Sequence, residues 1–335
     1  MQQATGFSAS ERSYIRGQLV DEIDLDSLEN WYPVAIDPHT DSVFWRDMGQ
    51  QRFIESFFHN SLDAQAREAR RVCKTKVSSL AKIRNTVNPS AFIFHISRCG
   101  STLLTQMLAS LTSCIVLSEP PVIDMFCRNY LNTTDQRTSH ENRIQIFRQL
   151  ICALGQQRFP AESHLIIKLD SWHIGHCEFI RQAFPDVPMY FLFRDPKQVL
   201  ASHQKQRGPQ MIPGYVDLGN IKAEQAGLDV ADLDGYCLRI LDQFFSAALR
   251  HADNLHLRLV NYKELPSYVW GRLLNELGIS CSSNEMQEIR QRSSYHSKHT
   301  LQNFSERFEE QVPHAFFART FSLYEQLESM RDRQG

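Results

Sequence analysis

The chain has no run of apolar residues approaching the ~20 that a membrane-spanning helix requires, so no transmembrane segment is expected. It also lacks an excess of charge of one sign, with 36 Lys and Arg against 38 Asp and Glu and a formal charge of −2. Proteins that bind nucleic acid or membrane surfaces usually carry a basic excess. Neither partner is expected here, and any anion site must be a local concentration of Arg and Lys. The eight cysteines include no C-x-x-C pair and no zinc spacing. The pairs His173/His176 and His296/His299 lack the H-E-x-x-H form, so no metal is expected. The opening MQQATGFSASERSYIRG has no apolar signal core. A cytoplasmic protein is therefore expected, with most cysteines reduced and buried as small hydrophobes. There is no internal repeat and no low-complexity segment.

What is present is ordinary globular material, with 42% hydrophobic and 22% charged residues in a chain of 335. That length suits two domains, or one α/β domain with an extension. The pattern changes at Asn88-Pro89, which divides the chain into an N-terminal extension, 1–88, and a main domain, 89–335. In the extension, WYPVAID and SVFWRDM flank a Pro/Asp/Thr cluster and predict a β-hairpin. RFIESFFHNSL has helical spacing, with Phe53, Ile54, Phe57, Phe58 and Leu62 as its buried stripe, and DAQAREARRV is expected to continue it as a polar helix.

Beyond residue 90, strand, loop and helix patterns alternate. AFIFHI (91–96), CIVL (114–117), HLIIKL (164–169), PMYFLF (188–193) and LHLRLVNY (255–262) are short apolar runs of the kind found in buried parallel strands. Helical patterns lie between and after them, the last being QVPHAFFARTFSLYEQLESM with Phe316, Phe317, Phe321, Tyr324 and Leu327 as core positions. The expected fold is α/β, a P-loop-type parallel sheet flanked by helices, with an N-terminal hairpin-plus-helix extension. In such sheets ligands bind beyond the carboxyl ends of the strands, so the residues that follow each strand carry the functional information.

After the first of these strands comes His95-Ile-Ser-Arg-Cys-Gly-Ser-Thr102, a small-residue turn opening a helix. Backbone N–H groups at such a helix start point at an anion, aided by the helix dipole. Compared with the nucleotide-triphosphatase pattern G-x-x-x-x-G-K-S/T, Gly100 and Thr102 fit, His95 replaces the first Gly, and Ser101 replaces the Lys. The cation sits before the Gly, at Arg98. That placement suits a shorter phosphate group with no evident metal role. Physically, RDPKQVLASHQKQRG also offers an anion grip at Arg194, with Lys197, Lys205 and Arg207 adding positive charge nearby.

SRCGSTLL resembles the 5′-phosphosulfate-binding loop of sulfotransferases, whose usual form is P-K/R-S/C-G-S/T-T-x-L. YFLFRDPKQVLASH resembles that family's 3′-phosphate motif, an Arg-Asp-Pro with a Ser eight residues beyond the Arg, here Arg194 and Ser202. LVNYKELPSYVWGRLLNELGI resembles the family's Y/F-E-x-L region and closing helix. The resemblance spans about residues 91 to 280. It implies transfer of a sulfuryl group from 3′-phosphoadenosine 5′-phosphosulfate to a hydroxyl or amine of a small-molecule acceptor. It also implies a donor site formed by Arg98, Cys99, Gly100, Ser101, Thr102, Arg194 and Ser202. A late polar loop carrying Ser297 and Lys298 would close the 3′-phosphate site, although the R-K-G-x-x-G form is absent.

An acceptor hydroxyl needs a base within hydrogen-bond reach. Many family members carry Lys-Thr-His after the third strand, where this chain has Lys168-Leu-Asp170. The candidate bases are, in order, Glu119 in VLSEPP, His173 and Asp170, with Lys168 able to touch donor or acceptor. Cys99 is read as a packing residue in the loop rather than a nucleophile. Two alternatives stand beside this reading. One is a phosphoryl transferase using ATP and Mg²⁺, with Asp170 as the metal carboxylate. The other is a non-catalytic nucleotide-binding module. Acceptor identity and oligomeric state are not set by the sequence.

Overall fold

The computed structural model describes residues 7–21, 28–133, 137–219, 221, 231–253, 256–294 and 315–334. The N-terminal part runs α1 (Ala9–Tyr14), β1 (Gln18–Val20), β2 (Trp31–Asp37), β3 (Ser42–Asp47), α2 (Phe58–Ala64) and β4 (Arg71–Lys76). The expected hairpin is β2 and β3, paired antiparallel from Trp31↔Asp47 to Asp37↔Ser42. It belongs to a four-stranded sheet of order β1-β4-β3-β2.

The helix expected to continue to Val72 does not form. Residues 71–76 are β4, antiparallel to β3 and parallel to β1. Val72, Cys73 and Thr75 turn inward while Arg71, Lys74 and Lys76 stay exposed, so pairing with β3 buries the apolar residues that a surface helix would have left in water. The aromatic stripe also divides, because α2 starts only at Phe58. Phe53, Phe58 and Leu62 are buried, whereas Ile54 is 55% exposed.

The second part contains β5 (Pro89–His95), α3 (Ser101–Ala109), β6 (Cys114–Ser118), α4 (Pro121–Phe126), α5 (His140–Leu154), β7 (His164–Lys168), α6 (Cys177–Ala183), β8 (Met189–Phe193), α7 (Pro196–Lys205), α8 (Leu233–Ala252), β9 (Leu257–Asn261), α9 (Leu274–Glu276), α10 (Ser283–Ser293) and α11 (Phe317–Gln334). Its five strands form one parallel sheet of order β6-β7-β5-β8-β9, flanked by helices, as the apolar runs predict. Strands β6 and β8 are buried along their whole length, consistent with helices on both faces.

The first strand of the sheet, β5, is central. From β5 the chain crosses to the edge strand β6, returns to β7 between the two, and then passes to β8 and β9 on the other side. The direction of winding reverses beside β5, and a crevice opens there at the strands' carboxyl ends. The buried apolar residues of both sheets form one contiguous core, from Trp31 and Trp45 to Leu259 and Leu327. Six of the eight cysteines are buried; Cys152 and Cys281 are partly exposed, and none is in a disulfide. Among the described residues, no helix is long and apolar enough to cross a membrane.

Candidate active site

Each parallel strand delivers one residue group to the same crevice. His95 ends β5 and leads into the 96–100 loop; Glu119 follows β6, Asp170 follows β7, Arg194 follows β8 and Tyr262 follows β9. These side chains line a cavity of about 290 Å³ together with Phe57, Ser97, Arg98, Gly100, Ser101, Thr102, Trp172, Ser202 and Gln210.

The 96–100 loop turns through the left-handed region three times, at Ser97 (φ 71°), Arg98 (φ 52°) and Gly100 (φ 81°). Such geometry is costly for residues with a Cβ and curls the backbone around the start of α3. A Cβ on Gly100 would lie 2.8 Å from Leu265 Cδ1 and from Tyr262 Cδ2, so only glycine fits beneath the β9 loop. His95 holds the turn from below, its Nδ1 accepting the Ser97 N–H at 2.9 Å. The first N–H groups of α3 have no intrahelical acceptor by construction. With Ser101 and Thr102 at the cavity wall, the loop has the donor set for a phosphate-like anion.

Two arginines converge on this loop. Arg194 is 4% exposed. Its Nη1 donates to the Arg98 carbonyl at 3.2 Å, its Nε to Gln198 Oε1 at 2.9 Å, and its guanidinium lies 3.9 Å over the Tyr262 ring. The Arg98 side chain reaches the carbonyl of Gln206. Ser202, on the cavity-facing side of α7, shares the wall with Arg194. Arg207, one of the extra cations expected here, turns away and pairs with Asp234. Lys197 and Lys205 do not line the cavity either. Of the cations and hydroxyl expected for an anion site after β5 and β8, Arg98, Arg194 and Ser202 line the cavity. Cys99 is fully buried and does not line the cavity; burial pushes its thiol up, as expected of a packing residue. Ser297 and Lys298 lie outside the described residues.

The opposite wall is a charged cluster around Glu119, which takes the left-handed conformation with φ 54°. Glu119 Oε1 stands 2.8 Å from Lys168 Nζ and 3.3 Å from His95 Nε2. Lys168 is wholly buried and does not line the cavity; its ammonium lies 4.6 Å over the Phe57 ring and 3.5 Å from Thr102 Oγ1. Burial opposes the charge on Glu119, but the Lys168 ammonium and the imidazole of His95 outweigh it and hold the carboxyl well below the usual range. Asp170 moves the other way. Burial and the neighbouring Glu119 carboxylate push it well above the usual range. Burial also lowers the pKa of His95.

His173, expected as an alternative base, is elsewhere. It is fully buried behind the cavity wall with both ring nitrogens engaged, Nδ1 accepting the Asp170 N–H at 3.3 Å and Nε2 facing Asp124 Oδ1 at 3.2 Å. Asp124, Asp170 and His173 bring ligand atoms within 4.8 Å of one another, the one such metal-capable group among the described residues. The Asp124 and His173 atoms are already committed to protein partners. The sequence reading missed His95, Phe57, Trp172 and Tyr262 as cavity residues. His95 and Tyr262 had a signal, their place at a strand's carboxyl end.

No protein-family model matches the chain, and no curated protein matches it. Solved structures similar to it include the sulfotransferase domain of the Synechococcus PCC 7002 olefin synthase, at 15% identity and TM-score 0.43, covering 73% of this chain and 96% of that one. A sulfotransferase from Alicyclobacillus acidocaldarius has 14% identity and TM-score 0.40, with the same coverage, 73% and 96%. A mouse sulfotransferase complexed with PAP has 14% identity and TM-score 0.37, covering 77% of this chain and 88% of that one. At these identities and scores the likeness carries no argument, and the functional reading rests on the loops themselves.

Proposed function

We propose that the protein is a sulfotransferase that moves the sulfuryl group of 3′-phosphoadenosine 5′-phosphosulfate to a hydroxyl of a small-molecule acceptor. The observation that carries this reading is the convergence in one cavity of the Arg98–Thr102 loop, the Arg194/Ser202 pair and the Glu119 cluster. The donor set suits a nucleotide with two separate anionic groups. The loop amides and Arg98 would hold the 5′ end, and Arg194 with Ser202 the 3′-phosphate. The domain boundary at 88/89 is part of the proposal, with an extension whose Phe57 works inside the main domain's cavity.

As the acceptor oxygen bonds to sulfur, the S–O bond to the 5′-phosphate breaks and charge grows on the leaving phosphate oxygen. Donors aimed there stabilise the transition state more than the ground state. The acceptor's proton passes to Glu119, the carboxylate that the cluster keeps ionised. Its ion pair makes Glu119 a weak base. Transfer therefore runs late, once bond formation to sulfur has made the acceptor O–H strongly acidic.

The test is sulfate transfer from the labelled donor to a panel of hydroxyl and amine acceptors in EDTA. Donor-dependent labelling of at least one acceptor is expected; none across the panel would reject the activity and favour a binding module. A separate prediction concerns the 3′-phosphate. Arg194→Ala and Ser202→Ala should each weaken binding of adenosine 3′,5′-bisphosphate by about tenfold or more, as loss of a charged hydrogen bond costs ~1.5–3 kcal/mol. Unchanged calorimetric affinity in both variants would place that phosphate elsewhere.

A further inference from the structure

We propose that Asp124 is a positioning residue for the transfer step, bracing together the two loops that carry Glu119 and Asp170 and fixing Trp172 as a wall of the acceptor end. The inference rests on the sulfotransferase reading of the cavity.

Asp124 lies on α4, which starts two residues after Glu119, with Pro120 and Pro121 stiffening the connection. Its carboxylate reaches across to the loop after β7. Oδ1 accepts the Trp172 indole N–H at 2.7 Å and faces His173 Nε2 at 3.2 Å. Oδ2 accepts Arg128 Nε at 2.8 Å, and Arg128 also binds Glu11 of the N-terminal helix. Burial opposes the charge on Asp124, but His173, Arg128 and the indole N–H hold its pKa at about 2, so the brace is ionised at any working pH.

The consequence for His173 is a fixed tautomer. Nε2 carries the proton and donates to Asp124, which leaves Nδ1 free of hydrogen to accept the Asp170 N–H. Asp170 in turn starts the short helix that follows, its backbone carbonyl accepting the His173 N–H at 3.0 Å. The Asp170 backbone is thus held through both its N–H and its carbonyl, which fixes where its carboxyl enters the cavity. Asp124 and His173 touch neither the donor loop nor Arg194 in any described contact, and neither lines the cavity; Trp172 and Asp170 do. An effect of Asp124 on acceptor chemistry without an effect on nucleotide binding is the signature of this arrangement.

Asp124→Asn keeps the shape but loses the charge and the Oδ2 acceptor for Arg128. With the sulfate donor and the best acceptor, its kcat should fall at least tenfold and the acceptor KM should rise severalfold, while affinity for adenosine 3′,5′-bisphosphate stays within twofold. His173→Asn, which can still offer an oxygen to the Asp170 N–H, should recover a measurable part of the activity lost in His173→Ala. Unchanged kcat and KM in folded Asp124→Asn would overturn the proposal. So would a matching loss of nucleotide affinity, which marks a merely structural role.

An activity-independent reading covers variants that transfer poorly. The Trp172 indole N–H resonance, assigned by its loss in Trp172→Phe, should exchange with solvent at least tenfold faster in Asp124→Ala, which removes the Oδ1 acceptor, than in wild type. The indoles of Trp31, Trp45 and Trp270 should not change. Unaltered Trp172 exchange overturns the brace. A wild-type protein that transfers no sulfate fails the functional reading instead, and the brace is then judged on the exchange result alone.

Discussion

Glu119→Gln is expected to lower sulfate transfer by ~10²–10⁴-fold, the contribution of a positioned general base, while leaving bisphosphate affinity within a factor of two. Gln keeps the shape of the side chain and cannot take the acceptor's proton. Removing one partner of a buried ion pair is usually strongly destabilising, and Lys168 is wholly buried. Here the cost is offset locally. Burial and the Glu119 charge raise the pKa of Asp170. Once that charge is gone, Asp170 can ionise and take over as the counter-ion of Lys168. The variant should therefore fold and bind nucleotide, and the loss should fall on kcat. Asp170→Asn leaves Glu119 ionised and should retain transfer. If instead Glu119→Gln is active and Asp170→Asn is dead, the base is Asp170.

Arg98→Ala is expected to reduce turnover by at least ~10²-fold, the scale of losing one oxyanion donor. Arg98 sits beside Gly100 in the strained turn that opens α3. Its guanidinium stays charged at any working pH, so its part is electrostatic with hydrogen bonds and involves no proton transfer. Arg194 binds the Arg98 backbone carbonyl, a contact that the Ala substitution preserves. The loop should keep its shape, and the loss should again fall on kcat. Turnover within threefold of wild type would reject the assignment.

The parallel sheet was legible because each strand is a short apolar run buried on both faces, and the loop residues followed from the strand ends. Arg98, Glu119, Asp170, Arg194 and Ser202 all reached the cavity because each lies at or just beyond a strand's carboxyl end or on the helix that follows it. The parts that were not legible depend on contacts distant in sequence. Arg71–Lys76 has no clean period-two alternation, since Val72 and Cys73 are adjacent, and pairing with a strand 29 residues upstream, beginning at Ser42, turns it into β4. Arg207 was counted as an anion-binding cation, and Asp234 withdraws it. His173 looked like a base by residue type, and its burial against Asp124 gives both ring nitrogens protein partners. Phe57 belonged to a helix stripe by spacing, yet it precedes α2 and meets Lys168 instead.

The central claim is that the cavity takes a nucleotide bearing a 3′-phosphate without a metal, and thermal unfolding tests it most directly. Adenosine 3′,5′-bisphosphate in EDTA, at a hundredfold its dissociation constant, should add ~2.7 kcal/mol of stability and raise the melting temperature visibly. ATP, which lacks a 3′-phosphate for Arg194 and Ser202, should raise it less, with or without Mg²⁺. Stronger stabilisation by Mg-ATP than by the bisphosphate would contradict the account.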